Sequence, residues 1–247
     1  MSATQYDAIA DAYASSEQFA MREHIETPVL TRALGPVTGL DVLDLACGPG
    51  NYTRAYKRAG ARRVVGVDIS PEMLRIALAE EAARPLGIEY QQHAAEALPS
   101  FAPFDAASAV YLLHYAESRE QLLRMCAGVH RNLKPGGRFA AMVTLLDEPF
   151  LRTGKNYNSY GVHEHATLPL VEGAKVAIDF LMDDPPFTIQ IFHWTRATYE
   201  AALREAAFRD IQFFPQAPSE VAIQRFGAAF WQDFIAHPPA QAISCTA

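Results

Sequence analysis

Apolar residues recur along this chain with two periods. Short continuous runs at Val42-Leu43-Asp44-Leu45, at Val64-Val65-Gly66-Val67 and from Phe104 onward predict strands buried on both faces. Residues 88–93 and 139–146 read as the third and fifth strands of the same set. Between them the spacing changes to three and four. A helix starts at Asn51, a second occupies 71–83 behind the caps Ser70 and Pro71, and a third runs over 119–133. Strand and helix in alternation predict a parallel sheet with helices on both sides.

The ends of the chain carry other patterns. Residues 2–34 read as helices, with Tyr6, Ile9, Ala10 and Tyr13 on one face. Residues 147–194 hold a polar, aromatic stretch and then two alternating runs. These are Val176, Ile178, Phe180 and Met182, then Phe187, Ile189, Ile191 and His193. Asp183-Asp184-Pro185-Pro186 separates the runs, so they predict a hairpin. A helix capped by Thr195, a strand over 210–214 and a helix over 219–236 follow.

The turns show where chemistry gathers. The first strand runs into Ala46-Cys47-Gly48-Pro49-Gly50, where missing Cβ atoms let bare backbone approach a ligand. The second strand closes on Asp68, 18 positions after Gly50. A carboxylate there can accept hydrogen bonds from both hydroxyls of a ribose. A nicotinamide dehydrogenase would need a third small residue three positions after Gly50, and Thr53 stands there.

The stretch V-L-D-L-A-C-G-P-G resembles the first motif of the class I S-adenosylmethionine-dependent methyltransferases, V-L-D-x-G-C-G-x-G, with Ala46 in place of the commoner glycine. Ala94-Ala95-Glu96-Ala97-Leu98-Pro99 resembles the family's D-A-x-x-L-P loop beside adenine, and Leu133-Lys134-Pro135-Gly136-Gly137 its L-K-P-G-G turn. Ala94 replaces the usual aspartate, leaving the backbone of Ala95 or the carboxylate of Glu96 to meet the adenine amine. The resemblance implies a Rossmann-like, doubly wound α/β sheet of seven strands, with 241–246 as the last, antiparallel strand. It implies one domain over 1–247: a lid (1–38), a cofactor core (39–146), a substrate cap (147–194) and C-terminal helices and strands (195–247). S-adenosyl-L-methionine would be the cofactor and S-adenosyl-L-homocysteine the product. Tyr13, Asp44, Ala46, Gly48, Gly50, Asp68, Ile69, Ala95, Glu96 and Tyr111 would bind it.

Composition narrows the partner. The formal charge is −7, and no run of Lys or Arg reaches four, which argues against a nucleic-acid partner. No apolar stretch is long enough for a bilayer, and the first residues lack signal-peptide regions, so no membrane partner is expected. Three dispersed cysteines suit a reduced cytoplasm. A small-molecule acceptor and a monomer or homodimer are expected.

His114, just past the fourth strand, is the candidate general base, because an imidazole titrates near neutral pH. Substrate orientation or a structural hydrogen bond is an equal alternative for it. Tyr6, Tyr157, Tyr160, His163, His165 and Trp194 are the candidate acceptor contacts. His163-Glu164-His165 invites a metal reading, yet no further ligand is evident, and a polar pocket wall is expected with no metal. Asp184-Pro185-Pro186-Phe187 looks like a base-amine methyltransferase motif in the wrong place, and reads as a hairpin tip. Lid, cap and tail together resemble bacterial natural-product methyltransferases. That resemblance implies methylation of a nitrogen on a small aromatic or heterocyclic metabolite, toxoflavin-like, with oxygen as the alternative. A dehydrogenase, a non-catalytic cofactor binder and a protein or RNA methyltransferase are the competing classes.

Overall fold

The computed structural model describes residues 3–15, 22–181 and 186–247. In chain order the helices and strands begin with α1 (Ala3–Asp7), α2 (Ala10–Ser15), a π-helical turn (Arg22–Glu26) and α3 (Thr27–Leu34). The alternating core follows: β1 (Asp41–Leu45), α4 (Asn51–Arg58), β2 (Arg63–Asp68), α5 (Pro71–Ala83), β3 (Glu89–Gln92), β4 (Phe104–Val110), α6 (Arg119–Arg131) and β5 (Leu133–Thr144). After it come α7 (Glu148–Arg152), β6 (Val162–His165), β7 (Lys175–Phe180), β8 (Phe187–Phe192), α8 (Arg196–Glu205), β9 (Arg209–Pro215), α9 (Glu220–Phe226), α10 (Gln232–Ala236) and β10 (Ala240–Thr246).

Seven strands form one sheet in the order β3-β2-β1-β4-β5-β10-β9, in which β10 alone runs antiparallel to both of its neighbours. The strand order reverses between β1 and β4, whose register pairs Asp44 with Ser108. At such a reversal the crossover helices diverge to opposite faces and leave a crevice at the carboxyl ends of the strands. Successive residues of β1 serve opposite faces. Leu43 and Leu45 join the core under α6 and α8, while Val42 joins the core under α3 and α4.

The expected cap of α5 is present, with Ser70 Oγ accepting from Met73 N at 3.2 Å. The turn at Lys134 to Gly137 sits at the amino ends of the strands, where Lys134 Nζ meets Asp105 Oδ1 at 2.6 Å.

Between β5 and α8 lies a separate antiparallel sheet, β6-β7-β8. The two alternating runs pair as a hairpin, Phe180 opposite Phe187, and β6 adds a strand that the polar stretch did not suggest. Met182 and the tip residues Asp183, Asp184 and Pro185 lie outside the described residues. Ile178, Phe187, Ile189 and Ile191 of this sheet pack with Tyr6, Ile9 and Tyr13 over Tyr115, which roofs the crevice. Gln190 N donates to Gln5 Oε1 at 2.8 Å, and Ser70 Oγ donates to Asp7 Oδ1 at 2.5 Å, so α1 bridges both sheets.

The single helix expected over 219–236 is two helices. Gly227 takes φ 83°, which ends α9 and folds the chain back until Trp231 Nε1 donates to Ala222 O at 3.1 Å. No helix among the described residues is long and apolar enough to cross a membrane.

Candidate functional site

The loop after β1 is held from beneath. Asp44 is buried and accepts from Ser108 Oγ at 2.5 Å and from Thr53 Oγ1 at 2.7 Å. Thr53 therefore ties α4 to β1, where a dinucleotide fold would use a small residue for close packing. Burial pushes the Asp44 carboxyl up to about 6, against the pull of its two hydroxyl donors. Ala46 and Gly48 take φ 51° and φ 54°, turning the backbone toward the crevice. A Cβ on Gly50 would stand 2.4 Å from Tyr90 Oη, so that glycine makes room for a neighbour of its own.

Asp68, at the tip of β2, is also buried. It accepts from Gly48 N at 2.8 Å and Ser70 N at 2.9 Å, one on each oxygen, and desolvation raises its pKa despite these bonds. Each oxygen keeps a lone pair for a ligand.

Three cavities follow the crevice. One of about 220 Å³ lies among Asp68, Ile69, His93, Ala95 and Leu112. The next, about 350 Å³, lies between Gly48, Asp68 and the rings of Tyr6, Tyr13, Tyr111 and Tyr115. The third, about 360 Å³, lies between Gly48, Asn51 and Glu26. Ala46 borders all three.

A fourth cavity of about 670 Å³ opens beyond them, under the inserted sheet. Tyr6, Tyr13 and Tyr111 belong both to its wall and to that of the 350 Å³ cavity, so the two chambers meet at these rings. Its apolar sides are Val162, Ile178, Phe180 and Ile189, and its polar groups include His114, Thr144, Glu164 and Gln216. His114 Nδ1 lies 3.1 Å from Thr144 Oγ1, and its ring stacks on Tyr111 at 5.7 Å. Burial pushes this imidazole down to about 3, so it is neutral at physiological pH. Glu164 moves the other way, its carboxyl pushed up to about 8 by desolvation.

A methyltransferase-domain family model matches residues 42–137. A ubiquinone biosynthesis O-methyltransferase of Ralstonia nicotianae is 32% identical over 108 residues, 43% of this chain and 44% of that protein. The chain thus spans about half or less of the length of the curated relatives it matches. An S-adenosylmethionine-dependent methyltransferase from Mesorhizobium loti, of known structure, superposes with a TM-score of 0.66 at 26% identity, covering 90% of this chain and 97% of that one. The fold also matches a putative S-adenosylmethionine-dependent methyltransferase from Listeria monocytogenes, with a TM-score of 0.63 at 23% identity over 90% and 96% of the two chains. The chain carries a class I S-adenosylmethionine-dependent methyltransferase domain.

S-adenosylmethionine is the cofactor of that domain, and the residues present fit it. A Cβ on Gly48 would meet only the Tyr13 ring, at 4.0 Å, and Asp68 borders two of the three small cavities. Tyr13, Ala46, Gly48, Ile69, Ala95 and Tyr111 all line that crevice. Asp44 and Gly50 do not reach it, because the first is sealed under the loop and the second faces Tyr90. Glu96 also points elsewhere, accepting from Gln121 Nε2 at 3.1 Å. Of the two groups expected to meet an adenine amine, the structure therefore leaves Ala95 in place.

The expected acceptor contacts divide in the same way. Tyr6, Tyr157 and His114 line the large cavity. Tyr160 instead donates to Phe230 O at 2.7 Å and stacks on Trp231 at 5.5 Å, as a core residue of the C-terminal helices. Trp194 is buried in the main core with Nε1 donating to Ala116 O at 2.9 Å. His163 and His165 share one face of β6, turned away from the cavity, where they meet Asn158 and Asp179, each at 2.6 Å. The alternation that pairs the histidines sends Glu164 to the opposite face, so the three cannot close on one metal ion. Glu164, Glu26, Thr144 and Gln216 line the cavity without having been expected. The only signal for Glu164 was its place between two outward residues of a strand.

Proposed function

We propose that this protein transfers the methyl group of S-adenosylmethionine to a nitrogen of a small aromatic or heterocyclic metabolite held in the 670 Å³ cavity. One observation carries the reading. His114 Nε2, Glu164 Oε2 and Gln216 Oε1 are buried side-chain atoms without a hydrogen-bond partner among the described residues, and all three residues line that cavity. A buried polar atom left unpaired costs about 1–3 kcal/mol, so three in one cavity point to a ligand that pairs them. Gln216 Oε1 requires an N–H or O–H donor, and the Glu164 carboxyl accepts one when it is ionised. No Lys or Arg lines the cavity among the described residues, so an anionic acceptor has nothing to hold it. The apolar walls suit the faces of a flat ring, and the polar atoms suit its edge.

In this reading Asp68 holds the ribose hydroxyls, Ile69 and Ala95 flank the adenine, and the backbone of Ala46 and Gly48 lies against the methionine moiety. The cofactor supplies an electrophilic methyl group on a sulfonium. Tyr6, Tyr13 and Tyr111 frame the passage between the chambers and set the approach of the acceptor. The N-terminal helices act as a lid and the inserted sheet as a substrate cap, together excluding water and fixing the geometry on which an in-line displacement depends. The buried free thiols Cys47, Cys126 and Cys245 favour a reducing cytoplasm.

Oxygen as the acceptor atom is the second reading, favoured by the relatives named as O-methyltransferases. Yet the family match ends at residue 137, before Thr144, Glu164 and Gln216. The relatives named as O-methyltransferases match 43% of this chain or less, so they speak less for the acceptor chamber as a whole. The test is transfer of labelled methyl from S-adenosylmethionine to a panel of N–H heterocycles and phenols, with the methylated atom assigned by NMR. Products methylated only on oxygen would overturn the nitrogen reading.

A further inference from the structure

Glu164 is 4% exposed, yet nothing in the fold requires a carboxyl there. It stands opposite Ile178 in the β6–β7 register, in an apolar wall where an aliphatic residue would pack without desolvation cost. Its backbone is clamped. Asn156 Nδ2 donates to Glu164 O at 2.9 Å, and Glu164 N donates to Asn156 Oδ1 at 3.0 Å. The clamp holds the strand backbone at Glu164, whose side chain lines the cavity and whose Oε2 is buried without a partner among the described residues.

We propose that Glu164 reads the N–H of the acceptor and takes its proton during methyl transfer, which restricts the acceptor to rings bearing an ionisable N–H. This rests on the functional reading above. In the step, the nitrogen lone pair forms the new bond to the methyl carbon and the electron pair of the breaking carbon–sulfur bond stays on sulfur. The N–H bond breaks, its electron pair returning to nitrogen and its proton passing to the Glu164 carboxylate.

The surroundings suit that role. The titratable groups that share the cavity are Glu26 from the π-helical turn, Tyr6 and Tyr13 from the lid, Tyr111 and His114 after β4, and Tyr157. None brings a cation, since burial keeps His114 neutral. Uncompensated desolvation leaves Glu164 close to working pH, the most effective range for a general base. His114, the base that sequence suggested, is held far below that range and serves instead as a hydrogen-bonding group oriented by Thr144.

The test uses the full-length protein, with benzimidazole, indazole, hypoxanthine and lumazine as probes. N-methylation by the wild type should rise with pH and level off above about 8. Glu164→Gln should lower the rate by roughly 10²-fold, within the range of general-base catalysis, and erase the pH step. Its affinity for S-adenosylhomocysteine should stay within about twofold, as the binding control. Independently of turnover, infrared titration of the S-adenosylhomocysteine complex should show a carboxylic-acid C=O band that disappears above about pH 8 and is missing in Glu164→Gln. A Glu164→Gln enzyme that keeps the wild-type rate and pH step, or an infrared band unchanged by the substitution, overturns this inference and leaves the functional reading standing. Failure of the wild type to methylate any of the four probes, with S-adenosylhomocysteine bound, overturns both.

Discussion

Tyr111 Oη donates to Glu26 Oε1 across 2.6 Å, joining the π-helical turn near the start of the chain to the end of β4, 85 residues away. Gln216 Nε2 donates to the same hydroxyl at 3.2 Å, so three distant segments meet on one oxygen. Tyr111 also takes φ 56°, a left-handed conformation that costs a residue with a side chain on the order of 1–3 kcal/mol and that the surrounding contacts must hold. The strain places its ring at the wall between the two chambers.

Tyr111→Phe keeps the ring and removes the junction. The loss should be about 1–2 kcal/mol, or a fall in melting temperature of roughly 2–8 °C for a chain of this size. Acceptor KM should rise several-fold, while S-adenosylhomocysteine affinity changes little. Thermal melts and calorimetry check both. An unchanged melting temperature would mean that the remaining partners of Glu26 suffice.

Asp68 has two duties in this fold. It fixes Gly48 and the start of α5 through two backbone N–H bonds, and it faces the two cavities assigned to ribose and adenine. Asp68→Ala should weaken S-adenosylhomocysteine binding by about 1.5–3 kcal/mol, roughly 10- to 150-fold. Calorimetry on a variant shown to be folded decides it, and retained affinity would sink the ribose assignment.

Ala46 stands where the family more often has glycine, and the backbone shows why glycine is common there. At φ 51° an L-residue with a Cβ is strained by about 1–2 kcal/mol, part of which glycine gives back through its freer unfolded chain. Ala46→Gly should therefore raise stability by ~0.5–1 kcal/mol, seen as a small rise in melting temperature. A fall would show that the methyl group of Ala46 makes contacts worth more than the strain.

Much of the cofactor half was legible because its signals are local. An apolar run ending in Gly-x-Gly, or a strand closing on Asp68, needs no partner elsewhere in the chain to be recognised. The acceptor half depends on tertiary pairing. Tyr160 reads as a pocket residue until Trp231 stacks on it, and Trp194 until the carbonyl of Ala116 takes its N–H. Glu164 was hidden for the opposite reason. Flanking histidines drew attention to the outer face of β6, while a strand's period of two sent the useful side chain inward. Gln216 lies just past β9, and only the approach of that edge to β4 brings it to Tyr111.

The pH dependence of stability should carry the mark of Asp44. Its folded-state carboxyl titrates at about 6, above the ordinary 3.8, because burial disfavours the charge. An acid raised in this way contributes stability that is fully present below its unfolded pKa and is lost as pH rises through its folded value. For Asp44 the window is about pH 4 to 6, and the loss across it amounts to roughly 3 kcal/mol. Asp41 and Asp105 act in the opposite sense. Hydrogen bonds from Arg62 and Lys134 hold them below the ordinary value, so their contribution disappears as pH falls. The two effects separate in Asp44→Asn, which keeps an acceptor for Thr53, offers a donor to Ser108 and cannot ionise. Relative to wild type, the variant should gain roughly 3 kcal/mol on going from pH 4 to pH 7 in urea unfolding, with Asp41 and Asp105 cancelling in the comparison. An identical difference at the two pH values would show that the folded-state pKa of Asp44 is not raised, its two hydroxyl donors offsetting its burial.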